Sequence, residues 1–193
     1  MAKSSKKFEG VKCLTPIFRA SYMNVFEPKA YEDGPLKYSV EMLFSKDKTD
    51  LTEMKKKMLT AVEMAWGKDK AKWPKNFRWP FKDGDTMEDA SENHIGHTIA
   101  RADSQNAPGI YDQKKNDIIN KKEFVSGDYA RASLFMVPYE NVGGKFPDGK
   151  SGLKLYLQGI QLMAKGEPFA KTSKDDFDDV ESEEESETND MGF

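Results

Sequence analysis

Eleven residues near the middle of the chain, Lys72-Trp73-Pro74-Lys75-Asn76-Phe77-Arg78-Trp79-Pro80-Phe81-Lys82, hold four aromatic rings, four bases and no acid. Flat rings stack on nucleobases of any sequence, at roughly 1–3 kcal/mol per base, while neighbouring cations track the phosphates. The mixture therefore suits single-stranded nucleic acid. Such rings can also fold down as an apolar lid on a core. Trp73 and Phe77 are expected to do that, and Trp79 and the bases to face a ligand. The same theme recurs in Ser21–Lys29, where Tyr22, Phe26 and Lys29 follow Arg19; these rings either border a binding face or fill the mouth of a barrel. Arg101 shares a strand face with Ile99, and Arg131 alternates with Tyr129 and Phe135. An arginine so placed is a groove contact or a snorkelling residue at a barrel end. Lys114, Lys115, Lys121 and Lys122 are singly a solvated surface and together a positive field.

Other chemistry finds less support. His94 and His97 lie near Asp83, Asp85, Glu88, Asp89 and Glu92, the one candidate metal cluster, but no H-E-x-x-H spacing or helical period aligns them. The pattern contains no Ser/His/Asp order and no Gly-rich loop followed by Lys-Ser/Thr, so no catalytic residue, metal or cofactor is expected. Cys13, the single cysteine, sits in an apolar run and reads as a small core residue. One cysteine excludes an internal disulfide and fits a reducing cytoplasm.

Charge is distributed unevenly. From Asp175 to Phe193 there are ten acids and no base, which leaves 30 bases against 23 acids, about +7, for residues 1–174. A segment so acidic and so poor in apolar residues cannot repay its ordering entropy and stays solvated. It is then available to compete for whatever the cationic body binds. No run of eighteen apolar residues suggests a membrane span, and the basic Met1–Lys7 start is not followed by the apolar stretch of a secretory signal.

The elements that must position these residues follow from periodicity. A strand is expected over Val11–Ala20, at an edge or bulge because of Pro16, then a loop over Ser21–Lys29. Leu36, Tyr38, Val40, Met42 and Phe44 alternate with Lys37, Ser39 and Glu41, a half-buried strand. Residues 50–66 change to a helical period, with Asp50 and Glu53 as a capping box and Gly67 as the stop. A long connection over 68–96 precedes strands at His97–Asp103, Tyr129–Tyr139 and Leu153 to about Met163, with a short extension at Ile110–Tyr111. Asn141–Gly144 and Asp148-Gly149 read as a hairpin loop, and Gly159 as a bulge. The fold class is mainly β with one helix. Its best fit is a five-stranded oligonucleotide/oligosaccharide-binding (OB) barrel with the helix between the second and third strands and an acidic tail; another α+β sheet stays open. The domain expectation is a basic N-terminus over 1–8, an OB domain over 9–170 and a tail over 171–193.

Several stretches, taken together in order, resemble the bacteriophage single-stranded-DNA-binding proteins with an OB barrel and an acidic tail ending in an aromatic residue. They are Ser21–Lys29, Lys37-Tyr38-Ser39-Val40, Asp83-Gly84-Asp85, Gly96-His97, Pro108-Gly109, Gly127–Ser133, Gly166-Glu167-Pro168 and the closing Asp190-Met191-Gly192-Phe193. The resemblance implies a phage replication and recombination protein, acting in the host cytoplasm, that coats and protects single strands. Its tail would contact a polymerase, helicase or primase.

The expected interface puts Arg19, Lys29, Lys37, Lys82, Arg101 and Arg131 on phosphates and Tyr22, Phe26, Trp79 and Tyr129 under bases. The expected partner-binding tail comprises Asp175, Asp176, Asp178, Asp179, Glu183, Glu184, Glu185 and Phe193, and folds back over the groove when no DNA is bound. The protein would be a monomer or weak homodimer. Two other readings are a DNA-mimicking or scaffold-type interaction protein, and a metal-dependent nuclease using Asp83, Asp85 or His97.

Overall fold

In a computed structural model that describes residues 8–141 and 150–169, the described residues form nine strands and one α-helix. Residues 1–7, 142–149 and 170–193 lie outside the described residues, and with them most of the expected N-terminal segment, the Gly143-Gly144 turn and every tail residue named above.

Pro16 divides the first expected strand. β1 is Val11–Leu14 and β2 is Phe18–Lys29. A proline cannot donate to a ladder, and Thr15 bridges the break: its backbone N–H donates to Ala132 O, and its hydroxyl accepts from the Ala132 N–H, both at 2.9 Å. The expected loop at Ser21–Lys29 is in fact the outer part of β2, all of it beyond Ala20. It hid its alternation because the register with the next strand slips between Ser21 and Asn24 and again before Lys29. Each such slip turns the side chains over.

β3 (Lys37–Ser45) buries Val40, Met42 and Phe44 as expected, and also Ser39 and Leu43. α1 (Thr52–Trp66) buries Met54, Met58, Ala61 and Val62, one stripe at helical spacing. The capping box does not form. The Asp50 carboxylate instead accepts the Thr52 N–H at 2.8 Å, and Glu53 turns outward to Lys56.

The long connection carries β4 (Phe77–Arg78) and β5 (Phe81–Asp83), with 3-10 turns at Lys70–Lys72 and Glu92–His94. β6 (His97–Ser104) and β7 (Gly109–Tyr111) precede β8 (Tyr129–Tyr139), whose Ala130, Ala132, Leu134 and Met136 point inward as the alternation required. β9 (Ser151–Ala164) pairs with β8 along its length. Ser133 faces Gly159 while Leu134 faces Leu157, so Gln158 is the extra residue of a bulge beside the expected glycine.

The strand order is β1-β8-β2-β3-β6-β9-β4, with β5 on β6 and β7 on β9. The additional β8–β9 pairing turns β2-β3-β6-β9-β8 into a circuit. α1 packs on β1 and β8. No helix among the described residues is long and apolar enough to cross a membrane.

A clasp closes the end of the chain. The fully buried Asp128 carboxylate accepts the Val125 and Gly166 N–H groups at 3.0 Å and the Lys165 ammonium at 2.6 Å. Gly127 (φ +108°) and Gly166 let the two backbones touch. A Cβ on Gly127 would lie 2.2 Å from Glu167 O, and one on Gly166 would lie 2.1 Å from Gly127 O. Asp128→Ala is therefore expected to cost about 3 kcal/mol, since it leaves the Val125 and Gly166 N–H donors without their acceptor. The thermal midpoint should fall by roughly 6–12 °C. A shift within ~1 °C would show the clasp to be energetically idle.

Candidate nucleic-acid interface

A cleft of about 780 Å³ opens between the β4–β5 arm, β6 and the first half of β9. Its position follows from the pairing. β4 runs parallel to β9 at Ser151 and Gly152, and β5 runs antiparallel to β6 from Phe81 to Asp83. The arm is therefore bound to two strands at once, and Arg78, Trp79, Pro80 and Lys82 form one wall. β6 and β9 supply Ile99, Arg101, Asp103, Lys154 and Tyr156, with Glu41 and Tyr139 at the sides.

The rings are mounted rigidly. Trp79 is 40% exposed, and its indole packs edge-on against Phe77 at 4.9 Å and Trp73 at 6.2 Å. Phe77 continues into Trp66 at 5.6 Å, and Trp66 into Phe8 at 5.1 Å. The Trp73 indole N–H donates to Gly67 O at 2.9 Å. Edge-to-face contacts of this kind fix ring orientation, so Trp79 presents a preset surface. Tyr156 is exposed on the cleft floor with the Lys154 ammonium 5.1 Å above its ring.

Charge in the cleft is ordered by two carboxylates. Asp103 holds Lys154 at 2.9 Å and Lys37 at 3.9 Å. Glu41 faces Arg101 across the β3–β6 ladder but is bound by the buried His94, whose Nε2 lies 2.9 Å away. His94 Nδ1 accepts the Ser91 N–H at 3.1 Å, which places the proton of the neutral ring on Nε2, donating to Glu41. The Arg101 guanidinium donates to Ser39 Oγ at 3.2 Å and stays exposed. Both acids thus have partners on the protein, and the cations of the cleft outnumber them.

Trp79, Lys82 and Arg101, expected from the sequence, meet in this cleft, and Lys37 joins through Asp103. Tyr22, 62% exposed at φ +40°, has its ring 6.4 Å from that of His94. The remainder lie elsewhere. Phe26 packs on the core and lines a separate cleft of about 270 Å³ with Met23, Phe124 and Lys121. Lys29 is exposed opposite Lys37 at the end of β2. The Arg19 guanidinium donates to Gly127 O at 3.1 Å and Glu167 O at 2.8 Å and covers the Phe169 ring at 4.2 Å, so it serves the clasp. Arg131 donates to Gln161 at 2.9 Å, and Tyr129 stands beside Gly166.

The sequence reading missed Tyr139, Lys154 and Tyr156. Their signal was present, because Leu153, Leu155 and Leu157 alternate with Lys154 and Tyr156 and leave the latter facing out.

The acids considered for metal chemistry anchor a turn. Lys46 reaches Asp83 and Asp85 at 2.5 Å each, and the Gly96 N–H donates to Asp85 at 2.6 Å. A Cβ on Gly84 would strike His94 O at 2.0 Å. The Lys46 hydrogen bond holds the Asp83 carboxyl below its ordinary range. The Gly96 N–H, followed by Lys46, does the same for Asp85.

With these geometries in place, comparison with known proteins places the chain. The sequence profile of the family described as Enterobacter phage Enc34, ssDNA-binding protein, matches residues 11–189, and the chain belongs to that family. Among solved structures, the single-stranded DNA-binding protein from bacteriophage Enc34 in complex with ssDNA is similar at TM-score 0.63 and 19% identity, covering 88% of this chain and all of that one. The single-stranded DNA-binding protein gp2.5 encoded by bacteriophage T7 is similar at TM-score 0.60 and 16% identity, covering 91% of this chain and 97% of that one. Among curated proteins compared by sequence, none matches.

Because the folded pKa values of Asp83 and Asp85 are depressed, their stabilisation is complete above the ordinary Asp value of about 3.9 and is lost as pH falls through the lower folded values. The Gly96 amide proton, followed by NMR, should titrate with a midpoint below ~3.9. A midpoint at or above it would contradict the anchor.

Proposed function

From membership of this phage family, we propose that the chain binds single-stranded DNA along the cleft walled by Trp79. It would coat and protect single strands in phage DNA replication and recombination. The observation that carries the reading is the meeting, in one furrow, of the Trp79, Tyr139 and Tyr156 rings with Arg78, Lys82, Arg101 and Lys154. Phosphates take the cations, and Lys37 and Lys154 exchange Asp103 for a phosphate oxygen as the strand enters. Bases stack on Trp79 and Tyr156. Sequence tolerance follows, since every base has a π-face. The circuit β2-β3-β6-β9-β8 supports an OB-type barrel. The place of α1 in the chain, after β3 and before β6, supports a helix between the second and third strands of such a barrel.

The acidic tail mimics a polyphosphate, competes for the cleft, and on displacement by DNA recruits a polymerase, helicase or primase. The protein works as a monomer or weak homodimer in the host cytoplasm.

Titration with oligothymidylate should quench tryptophan fluorescence. Trp79→Ala should weaken binding by about 5- to 150-fold, the 1–3 kcal/mol of one stacked base. Removing residues 175–193 should raise affinity at low salt. Absence of quenching would favour the interaction-protein reading, and equal affinity with and without the tail would end the competition.

A further inference from the structure

Beyond the cleft the same arm carries a second row of charge. We propose that Lys68, Lys70, Lys72 and Lys75 form a cationic track that carries the bound strand past Trp79, out of the cleft at the end where β9 begins. The inference rests on the cleft reading and extends it.

Between Gly67 and Arg78 there are four lysines and one acid, Asp69. The Asp69 carboxylate is exposed and accepts the Ala71 N–H at 3.0 Å. All four lysines are exposed, and none has a carboxylate within ion-pair distance among the described residues. Two lysines at the cleft differ: Lys37 and Lys154 are tied to Asp103.

The backbone beneath the track is firm. The Lys72 N–H donates to Asp69 O at 3.0 Å, the Trp73 N–H to Lys70 O at 3.2 Å, and the Trp73 ring lies 6.2 Å from that of Trp79. The backbone that carries the lysines is thus held next to the ring on which a base would stack. β4, which follows the track, pairs with β9 at Ser151 and Gly152, and this sets where the track meets the cleft. Lysine ammonium groups are point charges on flexible stems, suited to phosphates without base reading. On α1, by contrast, Lys56 is held by Glu53 at 2.6 Å.

The test compares the full chain with its Lys70→Gln, Lys72→Gln, Lys75→Gln triple variant. Both are titrated with oligothymidylates of about six and about twenty nucleotides over a range of salt, lengths that span the ~4–16 nucleotides usual for one OB fold. Thermal midpoints of the two proteins are measured alongside and should agree. With the short oligomer, affinity should stay within about twofold. With the long one, the slope of log K against log salt should become shallower by about 2, three phosphate contacts at ~0.7 each, and low-salt affinity should drop about tenfold.

An unchanged long-oligomer slope overturns the track. An equal loss for both lengths assigns these lysines to the cleft and overturns it as well. So does a gain in affinity, the sign that the track holds the chain's own acidic tail. Failure of the cleft reading is separately visible, because Trp79→Ala would then bind the short oligomer as tightly as the unsubstituted protein does.

Discussion

Pairing of β9 with β8, β6, β7 and β4 is the constraint from which the interface follows. β8 runs antiparallel to it over its full length, while β6, β7 and β4 meet it in parallel. Parallel partners cannot be joined by tight turns, so the segments that reach them are long. The arm over 68–83 is one such segment. Tied to β9 by β4 and to β6 by β5, it becomes a wall. Without the β4 pairing, Trp79 and Arg78 would ride on a connection with little to hold it.

Packing and charge then divide the work inside the arm. Trp66 and Trp73 take the apolar role against Phe77, the first edge-on and the second tilted, and leave Trp79 outermost. The bases occupy the positions between and face solvent. In the cleft, Asp103 keeps two lysines in place and His94 occupies Glu41. A cation held by a local carboxylate is already oriented, which reduces the ordering cost of the next anion that arrives.

Much of this was readable from residue order, and the failures have a common physical origin. β8 was plain because Ala130, Ala132, Leu134 and Met136 alternate without interruption, and α1 because Met54, Met58, Ala61 and Val62 recur at helical spacing. The outer part of β2 was not, since its slips at Ser21 and Asn24 break the period and place Tyr22 at positive φ. Among the residues of the cleft, Trp79, Lys82 and Arg101 announced themselves by type and company. Arg19 and Arg131 looked equivalent but were not, because alternation tells which face a side chain takes and not which end of the strand it serves. Arg19 is claimed by carbonyls 108 and 148 residues away, partners that no local pattern reveals. Tyr156 and Lys154 were overlooked in the opposite sense: their outward phase was visible, but only the parallel approach of β6 and β4 makes that stretch of β9 a cleft floor.

The central claim is that the strand lies against the Trp79 wall and not at the clasp end of the sheet. Photo-crosslinking of the full chain to oligothymidylate, with the adducts located by peptide mass spectrometry, tests it directly. Crosslinks should concentrate on Trp79, Tyr139 and Tyr156, with Tyr129 and Phe26 unmodified. Adducts centred on Tyr129 and Phe169, with Trp79 and Tyr156 clean, would contradict the account.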